Sequence, residues 1–251
     1  MDPATPHPDG AYRYLPAGGA YSAGVAAEAG HALIGLRLPE HAPLEDALAL
    51  VDDELAARDL PATSLAALHL RIPEVMTAEE FGSFNERYLE LLDRRGLLVD
   101  GASPIARTNV APLFGPPSEA GVFAAYLAVA REGATGDFVV SGVTEANGGV
   151  GPEHIAAFDD VTDEGLRTKA VAVLDAVLER LRALGADGDA PTTVDVYTAY
   201  QVDALAALLP LYLPACERIG FVTYPSRPPL AHLEFEVDCL RVSEWHAVGA
   251  R

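Results

Sequence analysis

Pro104-Ile105-Ala106-Arg107-Thr108-Asn109-Val110-Ala111-Pro112 follows a run of helical character, Glu79 to Arg94, and opens a strand expected over Arg107 to Phe114. An arginine at the mouth of a strand, behind a proline and among small residues, is well placed to hold a carboxylate. Its guanidinium offers a rigid fork of donors that matches a carboxylate bidentately. A solvated surface ion pair would use the same residue. The surrounding pattern, which occurs twice in the chain, favours a ligand-binding role.

Working outward from that strand, the first half reads in order. Ala20 to Ala26 and Ala32 to Leu38 are short apolar runs around Gly30 and His31, which predicts a hairpin. Pro43 to Arg58 places Leu44, Ala47, Leu48, Val51 and Leu55 at helical spacing. Leu65 to Ile72 is a strand, and Thr77 with Glu80 forms a capping box for the next helix. That helix carries Phe81, Phe84 and Tyr88 on one face. The second half repeats the plan. Val122 to Ala130 and Phe138 to Val143 are expected to form a hairpin, Asp163 to Leu184 a long helix, and Thr192 to Tyr200 a strand. A short helix broken by prolines, Asp203 to Cys216, precedes closing strands at Phe221 to Tyr224 and His232 to Val242.

The chain is therefore expected to be α+β, with two tandem units at 11–117 and 118–251 behind a flexible tail at 1–10. Each unit would be a mixed β-sheet with two helices packed on one face. One strand is missing at the join. The expectation is that the first unit lacks its own closing strand, with Val122 to Ala130 opening the second.

Composition narrows the function. The chain has 251 residues, half of them hydrophobic, so a sizeable packed core is expected. A net charge of −20 leaves no basic stripe to displace counterions, which argues against nucleic acid or an anionic membrane as partner. No run of about eighteen apolar residues predicts a membrane span. Met1 to Gly10 lacks the apolar core of an export signal, so a cytoplasmic protein with reduced Cys216 and Cys239 is expected. The histidines show no metal-ligand spacing, and no metal is expected. The glycine-rich stretch Glu145 to Gly151 reads as a mobile loop beside a cleft, not a phosphate cradle.

Several segments resemble the RidA/YjgF family of enamine and imine deaminases. Gly19-Ala20-Tyr21-Ser22-Ala23-Gly24-Val25 is similar to the family's opening G-P-Y-S-x-A-V strand, and Phe81 to Tyr88 (FGSFNERY) to its F-x-x-x-N-x-x-Y helix. Pro104 to Val110 resembles P-A-R-x-x-V, Phe138 to Gly142 resembles F-x-S-G, and Leu233 to Glu236 resembles V-E-I-E. The resemblance implies chorismate-mutase-like units in a homo-oligomer, as a trimer or a pseudo-trimeric assembly, with clefts between neighbouring units. It further implies an arginine gripping a substrate carboxylate, a closing-strand glutamate positioning water, and a tyrosine and a backbone amide completing the pocket, with no cofactor.

Carried over, the candidates are Arg107 and Glu234 for catalysis, and Arg107, Tyr21, Asn109, Asn85, Ser141, Gly142, Arg218 and Glu236 for binding a small carboxylate-bearing metabolite. Asn109 replaces the family's common cysteine. Arg218 lies one residue out of register, and Tyr126-Leu127 replaces Tyr-Ser. Neither unit holds the full set, so a site shared across the unit boundary, with Glu234 facing Arg107, is expected. Glu234 and Glu236 alternate with apolar residues, a pattern that also describes a solvated strand face. Chorismatases resemble tandem units of this kind too. The remaining alternative is a ligand-binding protein without chemistry.

Overall fold

The computed structural model describes residues 3–8 and 10–248. The strands are β1 (Thr5–Pro6), β2 (Tyr12–Ala17), β3 (Tyr21–Ala27), β4 (His31–Pro43), β5 (Leu65–Arg71), β6 (Ala106–Pro112), β7 (Gly121–Ala130), β8 (Phe138–Thr144), β9 (Thr193–Thr198), β10 (Val222–Arg227), β11 (Phe235–Arg241) and β12 (Glu244–Ala247). The helices are α1 (Leu44–Ala57), α2 (Ala78–Asp93), α3 (Asp163–Ala183), α4 (Leu205–Tyr212) and α5 (Ala215–Ile219). This is a mixed α+β fold dominated by one large sheet, in the order β1-β2-β3-β8-β11-β9-β10-β6-β5-β7-β4-β12.

The helices form where apolar spacing demands them. α1 buries Leu44, Ala47, Leu48, Val51 and Leu55, the predicted stripe. α2 begins at the predicted capping box, with the Thr77 hydroxyl accepting from the Glu80 N–H and the Glu80 carboxylate accepting from the Thr77 N–H. α3 buries Leu166, Ala170, Val173, Leu174, Val177 and Leu181 against β8 and β11. Lys169 is buried in that stripe, and Arg180 lies half-buried near its end, a first sign that charge is placed inside.

The strands lie close to their expected places, but their partners differ. β3 does not pair with β4, nor β7 with β8. Instead β7 pairs antiparallel with both β4 and β5, so Val122 to Ala130 closes the first half's sheet. The second half lacks an opening hairpin of its own, and β2–β3 fills that place by pairing β3 with β8. β12 returns to pair with β4. Each half then shows one topology: β4-β7-β5-β6 and β8-β11-β9-β10, with a parallel pair in the last two strands of each. The N-terminal segment is partly structured, since β1 pairs with β2, while Met1, Asp2 and Asp9 lie outside the described residues.

The two halves join where β10 pairs antiparallel with β6, and β6 bridges β3 at Ala106 and Ser22. That second contact curls the sheet onto itself. The enclosed face is dominated by small residues, among them Ala27, Ala66, Ala67, Ala106, Ala124 and Ala128, which let the strands' side chains meet without collision. Larger cores lie on the outer faces, under α3–α5 in one half and α1–α2 in the other. Glu234, Glu236 and Asp238 are consequently buried rather than solvated. Cys216 and Cys239 are buried free thiols. No helix among the described residues is long and apolar enough to cross a membrane.

Candidate active site

Arg107 points from β6 toward α2. The helix presents Phe81, Phe84, Asn85 and Tyr88 at i, i+3, i+4 and i+7, so all four share a face. The guanidinium carbon lies 4.5 Å from the Tyr88 ring centre, 5.3 Å from Phe84, 5.8 Å from Phe81 and 5.0 Å from Tyr21 on β3. Asn85 accepts a hydrogen bond from Nη2 at 2.6 Å, which makes it a support for Arg107 rather than part of the cavity wall. Nη1 is buried with no hydrogen-bond partner among the described residues. Burial draws the Arg107 pKa down, yet a guanidinium remains charged at any physiological pH. The result is a cation held by aromatic faces and one amide, with a donor left over.

Arg107 lines a cavity of about 490 Å³ at the seam of the two halves. Tyr21 and Gly18 reach it from the β2–β3 hairpin, Arg107 and Asn109 from β6, Gly142 and Thr144 from β8, Glu236 from β11 and Arg180 from α3. Gly148, Gly149 and Val150 of the glycine-rich loop form part of its wall. A larger hollow of about 660 Å³ lies near α1 and α2. Glu45, Asp46, Glu74, Glu80 and Glu119 line it against a single arginine, Arg87, the wrong sign of field for a carboxylate ligand.

Several residues that line the smaller cavity carry buried polar atoms without a hydrogen bond among the described residues. Both side-chain heteroatoms of Asn109 are buried without hydrogen bonds among the described residues, as are both carboxyl oxygens of Glu236. Burial pushes the Glu236 pKa well up, and the neighbouring Asp238 charge adds to the push. Asp238 lies two residues along on the same strand face. Its Oδ1 accepts from the Gly142 N–H at 2.7 Å and from the Thr108 hydroxyl at 2.9 Å. Burial raises its pKa as well. Behind it, His69 Nε2 stands 3.7 Å from Asp238 Oδ2, with burial driving the His69 pKa well down, so the imidazole is neutral.

Five of the expected residues therefore meet at the cavity: Arg107, Tyr21, Asn109, Gly142 and Glu236. Four do not line it. Asn85 stands behind Arg107. Ser141 is buried, and its carbonyl accepts from Arg180 Nη1 at 2.7 Å. Glu234 forms an ion pair with Arg227 at 3.0 Å, while its N–H donates to Glu145 at 2.6 Å. Arg218 is remote on α5, donating to the Asp189 carbonyl, because the second half's short helix turns it outward. Gly142 lines the wall, but its N–H is committed to Asp238 and Thr108 and is not free for a ligand.

Sequence reasoning missed Arg180, Thr108 and Asp238. Arg180 was discoverable in principle, since it falls seven residues after Val173 on the apolar stripe of α3. Charge at a core position of a helix needs a partner or a function. Asp238 gave no such signal, because an acid on an alternating strand reads as solvent-facing.

The described residues contain no group of three or more His, Cys, Asp or Glu arranged to hold a metal. What the cavity can do is hold an anion against Arg107, engage an amine through Asn109, and exchange a proton with Glu236.

The chain is 36% identical over 233 residues to a 2-amino-5-chloromuconate deaminase of Comamonas testosteroni, covering 91% of this chain and 92% of that protein. Its fold is similar to that of a chorismatase crystal structure, with a TM-score of 0.50 at 14% identity over 88% of this chain and 77% of the other. The family described as 2-aminomuconate deaminase CnbZ matches residues 4–246. With nearly its whole length matched, this chain belongs to the CnbZ family of 2-aminomuconate deaminases.

Proposed function

We propose that the protein hydrolyses a 2-aminomuconate-type enamine to the corresponding 2-oxo acid and ammonia. The observation that carries this is the convergence of an unpaired arginine donor, an unpaired amide and an unpaired, high-pKa carboxyl on one cavity. Family membership supports the substrate class.

Arg107 anchors the carboxylate next to the amine-bearing carbon, and Asn109 engages the amine. Glu236, neutral in the free site, protonates the β-carbon of the enamine and converts it to the imine. The resulting carboxylate takes a proton from water as the oxygen adds to the imine carbon. Returned to nitrogen, that proton allows ammonia to leave, and the hydroxyl proton released as the carbonyl forms goes back to Glu236, which ends neutral as it began. Water supplies the oxygen, and no redox change occurs. Such chemistry needs a held carboxylate, a polarised C=N and an oriented water, which side chains alone can provide. The expected catalytic acid at Glu234 is thereby replaced by Glu236, two residues on, in a RidA-like division of labour between the halves.

The test is ammonia release from 2-aminomuconate. Glu236→Gln is expected to lower kcat by at least about a hundredfold, as is usual for loss of an acid–base group. Glu234→Gln should retain most activity. Arg107→Ala should lower kcat/KM steeply. Wild-type-like turnover by Glu236→Gln would sink the assignment.

A further inference from the structure

We propose that Arg180 is the contact for a second carboxylate, making the cavity selective for dicarboxylates over monocarboxylates. This rests on the proposed site around Arg107 and assigns the residue that takes the distal carboxylate of a muconate-type ligand. Arg180 is half-buried at the C-terminal end of α3 and lines the same cavity. Its Nη1 donates to the Ser141 carbonyl at 2.7 Å and the Ala23 carbonyl at 3.4 Å, while Nε is buried with no partner among the described residues. Those two carbonyls belong to β8 and β3, so the guanidinium is fixed by neutral backbone groups on both strands of that pair.

The charge count is decisive. Among the described residues, neither Arg107 nor Arg180 forms an ion pair, whereas buried Lys169 has Glu145 at 3.5 Å. Glu236 is the one carboxyl among the described residues lining the cavity, and burial pushes its pKa well up. The free cavity thus presents two guanidiniums with no carboxylate in ion-pair contact, Arg180 feeling the buried Glu236 and Asp238 only from farther off. A monocarboxylate leaves one of them desolvated and unmatched, a costly arrangement. A dianion matches both. The two arginines arrive from different halves, and Tyr21 interacts electrostatically with each. The ligand is accordingly a chain with a carboxylate at either end, with Arg107 taking the end beside the amine and Arg180 the distal one.

The experiment is calorimetric binding of two unreactive six-carbon dienes of the same double-bond geometry, muconate and sorbate, which differ by one terminal carboxylate. Wild type should bind muconate about thirtyfold tighter or more, the scale expected for a buried charge contact. Arg180→Gln should lose that preference, chiefly through weaker muconate binding, with sorbate bound no more weakly than by wild type. Arg180→Lys, which keeps the charge without the fork, should fall between, and covers the case in which the glutamine variant does not fold. Equal affinities in wild type, or an undiminished preference for muconate in whichever variant folds, would overturn the proposal. Because this readout needs no turnover, it separates the two ideas. An Arg180-dependent preference without ammonia release would refute only the deaminase reading, and turnover without that preference only this one.

Discussion

At the level of single residues, the site is built by removing partners rather than adding them. Arg107 retains one prong for Asn85 and keeps another free, so Asn85→Ala should loosen the guanidinium without touching the reacting atoms. The expected result is a KM raised about tenfold with a smaller change in kcat, read from steady-state kinetics. Gly142 has φ +57°, and a Cβ there would stand 3.0 Å from the Arg107 carbonyl oxygen. Gly142→Ala should therefore cost about 1–3 kcal/mol in chemical denaturation, since the contact is with backbone that cannot swing away. The Glu236–Asp238 pair gives stability a pH dependence. Burial raises both pKa values above those of the unfolded chain, so the folded state binds protons more tightly. Stability then falls as pH rises from the ordinary carboxylate range toward the raised values, and the loss is complete above them. Asp238→Asn should flatten that decline, as seen in urea midpoints between about pH 5 and about pH 8. A slope unchanged from wild type would show that Asp238 titrates normally.

At the level of elements, most helices and strands were legible in the sequence, β1, β2 and β12 excepted, while their partners were not. β4, β5 and β7 are buried on both faces, so they lack the polar alternation that would mark which face and neighbour each one takes. Short turns after β3 and β7 suggested hairpins, but tertiary closure sent each strand to a different half. The candidate site was half legible for a related reason. Arg107, Asn109 and Tyr21 announced themselves through motif and position, whereas Arg180 became visible only once α3 was placed against β3 and β8. The end of the chain provides a test of pairing. Trp245 on β12 lies against Gly35 on β4, where a Cβ would come within 2.4 Å of the indole. Gly35→Ala should displace β12 locally, and the chain's single tryptophan reports it as a red-shifted emission maximum with the rest of the fold retained.

For the whole molecule, the interlocking of the halves decides what can fold alone. The sequence divides naturally near 117/118, yet the sheet does not, because β3 is needed by β8 and β12 lies on β4. Residues 118–251 expressed alone would leave β8 as an exposed apolar edge. They are expected to show no cooperative unfolding transition, and neither is the piece 1–117. Co-expression should restore both the transition and ammonia release. Independent folding of either piece would mean that the exchanged strands are ornaments on two self-sufficient domains.

The exchange of terminal strands also sets an order in time. During synthesis the β2–β3 hairpin emerges first, but its partner β8 lies more than a hundred residues downstream, and Glu236 follows later still. At ordinary elongation rates of about 5–20 residues per second, the hairpin waits several seconds for its place in the sheet. No nascent chain that stops short of β11 can hold both the carboxylate anchor and the acid. On the ribosome, the protein completes its fold and acquires its reactive centre in a single late event.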